Sequence, residues 1–223
     1  NFLRICRGSS WEIVQLPLYQ NMTSWGNGDW QEAASYYASF RHSLAAGQFP
    51  SWNPYICGGT PLWADPLGYI PSLGLILSLI TGSIMGTKLA TTIAVCIGLS
   101  GFFTLARFFR YSQTSSLLIA ILSMLNGFFF SHIASGHFLW LSMGWIPWII
   151  LLFLSSVKRP YYIFFAAGLS VWLLFEGPVY FFAYLIIIIP ILALGFGLKN
   201  NCLRAITTLL VIYALLVAGL GAV

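Results

Sequence analysis

Acidic residues are nearly missing from this sequence: five Asp and Glu stand among 223 residues, and only 7% of the chain is charged, against about 25% in soluble globular domains. With 59% hydrophobic residues and a mean hydropathy of +0.85, a soluble class is excluded and an integral membrane protein is implied. The ten Lys and Arg stand singly or in pairs, for a net charge of +5. With no polybasic tract they set orientation in a bilayer and build no nucleic-acid surface. Cys6, Cys57, Cys96 and Cys202 have no C-x-x-C spacing, which argues against a zinc site or a disulfide framework. No D-x-D occurs either. The sequence begins on Asn1 and stops inside an apolar run, and is read as a piece of a longer protein.

What the chain has in abundance is long apolar runs. A helix needs about 20 such residues to span a hydrocarbon core of about 30 Å, and residues 88–107, 114–133, 138–157, 161–176, 178–198 and 204–223 qualify or nearly do. They predict an all-α, polytopic bundle of about six antiparallel helices over 88–223. Arg107 and Arg110, then Lys158 and Arg159, then Lys199 and Arg204 fall at every second connection. The positive-inside rule puts all of them on the cytoplasmic side. The intervening connections 131–137 and 175–178 then face outward. The run 67–82 would reach only about 24 Å as a helix and contains Pro71, Gly68 and Gly74, so it is read as a non-spanning segment. Residues 1–87 thereby become an outer loop.

Its stretch 28–66 holds three of the five acidic residues. Asp29 followed by Glu32 reads as an N-cap with an acidic third helical position, a capping-box variant. Trp30, Ala33, Ala34, Tyr37, Phe40 and Leu44 recur near helical spacing, and Gly47 supplies a stop. A helix over about 30–46 with an aromatic face is suited to the interface plane. The Pro- and Gly-rich segment after it carries Trp52, Tyr55 and Trp63, aromatics that settle at headgroup depth.

The combination of GDW (28–30), AAGQFPSWNPYICGGTPLWADP (45–66) and SGHFLWLSMGWIPWIILL (135–152) resembles the YfhO-like bacterial membrane proteins of the GT-C glycosyltransferase superfamily. The elements that carry it are Asp29; Gly47, Pro50, Trp52, Asn53, Pro54, Gly58, Gly59 and Pro61; and Gly136, His137, Trp145 and Pro147. The resemblance implies a GT-C-like helix bundle whose first outer loop carries juxtamembrane helices. It implies sugar transfer from a polyprenyl-phosphate-linked donor to a glycan or lipid acceptor at the outer face of the bacterial cytoplasmic membrane. An acidic residue of the first loop would act as general base or assist a divalent metal. The second outer loop departs from that pattern: it offers His132 and His137 but no carboxylate.

Each candidate has a plainer reading beside the functional one. Asp29 is the first choice for a catalytic carboxylate and is also a helix cap. His137 is a base, a phosphate partner or an interfacial histidine. Glu176, the one acidic residue beyond position 65, is a functional candidate because ionisable groups at such depth are costly, or it reaches the headgroups. Trp52, Asn53 and Tyr55 shape the loop or touch an acceptor; Arg41 suits a phosphate or a solvated face; Asp65 before Pro66 suits a turn or a ligand. Two other classes stay open: a lipid or glycan transporter, for which Ser123, Asn126, Ser142 and Ser170 are the polar candidates, and a non-catalytic membrane scaffold.

Overall fold

The computed structural model describes residues 30–53, 59–62, 71–176, 179–200 and 202–221. In chain order they form α1 (Trp30–Ala45), β1 (Trp52–Asn53), β2 (Thr60–Pro61), α2 (Leu73–Thr81), α3 (Ser83–Phe108), α4 (Gln113–Met124) and α5 (Gly127–Ala134). A 3-10 helix (Phe138–Trp145) then runs into α6 (Ile146–Ser155), followed by α7 (Tyr162–Phe175), α8 (Val179–Lys199) and α9 (Leu203–Gly221). The chain divides into two compact units, residues 1–93 with 127–141, and residues 94–126 with 142–223.

Among the described residues, four helical stretches are long and apolar enough to cross a membrane: Ser83–Phe108, Gln113–Ala134, Phe138–Ser155 and Val179–Leu198. Six were expected. Of the other two, α9 runs 19 residues, and α7 is apolar but shorter: its 14 residues make about 21 Å of helix against a core of about 30 Å. The nine residues of α2 make about 13 Å, too short to cross.

In the first unit, α1 buries Ala33, Ala34, Tyr36, Tyr37 and Phe40. The Tyr37 hydroxyl lies 2.9 Å from Ser72 Oγ, and that oxygen caps α2 by accepting from Leu75 N. Tyr37 also meets Phe138 edge-on, with ring centroids 6.1 Å apart. The aromatic face of α1 is thus packed into protein. The helix ends where Gly47 takes φ +69 and donates to the Leu44 carbonyl, while Gln48 N donates to that of Ser43. This is a Schellman turn. The two short strands pair antiparallel, Trp52 opposite Pro61 and Asn53 opposite Thr60.

In the second unit, α8 buries Phe181, Leu185, Ile189 and Ala193, a single i, i+4 stripe, while Ile186, Ile187 and Ile191 stay exposed. Apolar residues all round with one stripe buried is the pattern that a lipid solvent permits, because burial there gains packing and not release from water. Backbones come close at Gly144: a Cβ on it would lie 2.6 Å from the carbonyl oxygen of Ala94. That contact holds the 3-10 helix against α3 and fixes the position of the next residue, Trp145.

Candidate functional site

Trp145 donates its indole N–H to Glu176 Oε2 at 2.9 Å, and Trp172, one turn back on α7, donates to Oε1 at 3.0 Å. Glu176 is 8% exposed. Two N–H donors on two oxygens meet the demand of an ionised carboxylate, which can only accept. The position is otherwise unfavourable, because Glu176 is the C-cap of α7 and a negative charge there opposes the helix dipole. The indoles compensate, since a hydrogen bond to a charged group contributes about 1.5–3 kcal/mol. Trp145 stood in the sequence only as an element of a motif. No local spacing connects it to Glu176, 31 residues away.

In the first unit, His137 is joined by His132, which had not been singled out as a site residue. Their Nδ1 atoms are 2.7 Å apart. The turn that brings them together follows from Gly136. With φ +85 it lets Gly136 N donate to the Ile133 carbonyl and His137 N to the His132 carbonyl, a Schellman ending of α5. Such turns commonly place an apolar pair at the two positions occupied here by imidazoles. The His132 ring stacks on Trp140 with centroids 3.9 Å apart and planes at 10°, and Phe128 meets both rings edge-on.

The remaining candidates fall in several places. Trp52 is 51% exposed and lies over Gly59, where a Cβ would come within 2.2 Å of its indole nitrogen. Asn53 is fully buried in the strand pair, a loop-shaping position. The Arg41 guanidinium lies beside Gly82, between α2 and α3. Asp29, Tyr55 and Asp65 lie outside the described residues. At the α6–α7 connection, hydrogen bonds from Tyr162 and then Arg159 hold the Tyr161 phenol below its usual range. Bonds with Tyr161 and Tyr162 in turn hold the Arg159 guanidinium above its own.

A groove of about 740 Å³ in the second unit is lined by Leu174, Leu185, Ile189, Pro190, Tyr213 and Ala218, among others. Pro190 has no N–H for the carbonyl four residues back, and the Tyr213 hydroxyl is 2.6 Å from Ser170 Oγ. The lining is otherwise apolar.

A divalent cation, which the resemblance allowed, does not fit the described residues. No three His, Cys, Asp or Glu among them come together. The ring centres of His132 and His137 are 5.0 Å apart, close to the Nδ1 separation plus the two ring radii. The two nitrogen lone-pair axes therefore run along one line toward each other, and chelation needs them to converge on a third point. No protein-family model matches this chain, and neither a curated protein nor a solved structure does.

Proposed function

We propose that the chain is a membrane glycosyltransferase that moves a sugar from a polyprenyl-phosphate-linked donor to a hydroxyl acceptor at the outer face of the bacterial cytoplasmic membrane. The observation that carries this reading is Glu176, a carboxylate oriented by two indoles in the same unit as an apolar groove. A groove of that lining suits an isoprenoid chain, and a fixed acceptor-only group suits sugar or acceptor hydroxyls. Tryptophans beside a carboxylate also offer flat apolar faces to a pyranose ring. In this reading Asp29 is the general base on the acceptor, Glu176 orients the sugar and His137 handles protons. Arg107, Arg110, Lys158 and Arg159 belong to the cytoplasmic ends of their helices.

The test is transfer in proteoliposomes from radiolabelled lipid-linked sugars. Asp29→Asn keeps a capping oxygen but removes a base, and should lower transfer at least about a hundredfold with unchanged folding. Glu176→Gln should lower it as well, chiefly in kcat. A wild-type chain that turns over none of a panel of lipid-linked donors, or near-normal transfer by both variants, would overturn the reading.

A further inference from the structure

The collinear approach of His132 and His137 has one chemical meaning. At 2.7 Å, with the lone-pair axes on one line, a single proton must lie between the Nδ1 atoms: one ring donates Nδ1–H and the other accepts at Nδ1. The tautomers are then complementary, because the donor ring has a bare Nε2 and the acceptor ring carries Nε2–H. Each end of the pair is thus ready for opposite halves of a proton transfer. The surroundings differ in a way that gives the pair a direction. His137 is exposed, whereas His132 is half-buried and lies flat on the Trp140 indole, in the last turn of α5.

We propose that His132 and His137 form a two-ring proton relay. A proton taken up at His137 Nε2 makes that ring an imidazolium; its Nδ1 proton crosses to His132 Nδ1; His132 then releases its own Nε2 proton to water. One proton enters, one leaves, no heavy-atom bond changes, and the tautomers end exchanged, to be reset by the reverse passage or by exchange with water. His137 is the ring that meets the proton source, and His132 acts through it. The inference deepens the transferase reading, in which the source is the hydroxyl proton of the acceptor, handed on from the base.

Two measurements on the full chain separate the inference from that reading. The first is ¹⁵N NMR of histidine-labelled protein in micelles, with free histidine as external reference. One ring of the pair should show the Nδ1-protonated tautomer, the other the Nε2-protonated one, with scalar coupling across the bond. Two rings that both resemble free histidine would overturn the shared proton, whatever the protein's activity. The second is transfer in proteoliposomes. His132→Gln should retain fold and donor binding but lose at least tenfold in kcat, and His132→Ala should recover rate when imidazole, a mobile proton carrier, is added. A wild-type rate in His132→Gln, or loss without rescue in His132→Ala, would overturn the relay. Absence of transfer by the wild type would instead overturn the transferase reading and leave the coupling experiment to decide on the pair.

Discussion

The two polar sites of this protein are assembled by opposite means. The histidine pair of the first unit is local: five residues of chain, a glycine with φ +85 and two backbone hydrogen bonds bring the rings together. The Glu176 site of the second unit joins the end of one helix to the end of another, and depends on Gly144 letting the 3-10 helix approach Ala94. A local site survives wherever its turn survives. A site built between helices needs the packing of its whole unit, so substitutions far from the carboxylate should reach it.

The largest test of that contrast is Trp145→Phe. It keeps the ring and removes one donor from a buried carboxylate, at a cost of about 1.5–3 kcal/mol, read as a lowered midpoint in thermal or denaturant unfolding in micelles. Glu176→Gln should cost less in the Trp145→Phe background than alone, because the two residues act as one unit. Strict additivity would show that the indole and the carboxylate stand together without interacting.

Next in size is Gly144→Ala. The added methyl meets a backbone oxygen at 2.6 Å, which cannot move aside as a side chain does, and overpacking of this kind costs about 1–3 kcal/mol. Gly168, in the interior of α7, has nothing within 4 Å of the same methyl. Gly168→Ala should therefore be neutral or stabilising by up to about 1 kcal/mol. Equal effects of the two substitutions would mean that Gly144 marks no close contact.

The local site answers to Gly136. Gly136→Ala asks an L-residue to hold a left-handed conformation, at about 1–2 kcal/mol, and should loosen the His132–His137 bond while leaving Glu176 and its indoles untouched. Loss of the ¹⁵N coupling with an unchanged response to Trp145→Phe is the expected pair of outcomes. Perturbation of both sites would refute the claim that they are independently built.

What the sequence disclosed follows the same division. The stop of α1 at Gly47, the short α2 and the apolar runs were legible because each rests on residues close in the chain: a glycine where φ must be positive, a run broken by Pro71, a hydropathy that persists for about 20 residues. His137 was legible as a residue, but its partner was not recognised, although S-H-I-A-S-G-H already contains the helix end and the glycine of a Schellman turn. The Trp145–Glu176 bond had no such signal. It depends on how α6 and α7 pack, and the apolar pattern of α7 is too uniform to show which face turns inward. Hydropathy also runs on through the turn that ends α7, so the helix there is shorter than the apolar run that contains it.

Arg110 gives the smallest and cleanest comparison. It ends α3 in the same geometry as Gly136 ends α5: Arg110 N donates to the Arg107 carbonyl, Tyr111 N to that of Ala106, and Arg110 holds φ +67. Here a side chain with a Cβ occupies the left-handed position and bears its steric cost, while Arg107 Nη1 reaches the Tyr111 carbonyl at 2.6 Å. Arg110→Gly removes the strain and keeps both turn bonds, so it should stabilise the protein by about 1 kcal/mol, a rise of a few degrees in the unfolding midpoint. It also removes a positive charge at the helix end, where a cation contributes about 0.3–1 kcal/mol. Strain relief exceeds that loss most clearly at high salt, where the charge is screened. Arg110→Ala keeps the strain and loses the charge, so it should fall below the wild type at low salt. If Arg110→Gly is no more stable than Arg110→Ala, the positive φ is not a strained position, and the parallel between the two helix ends fails.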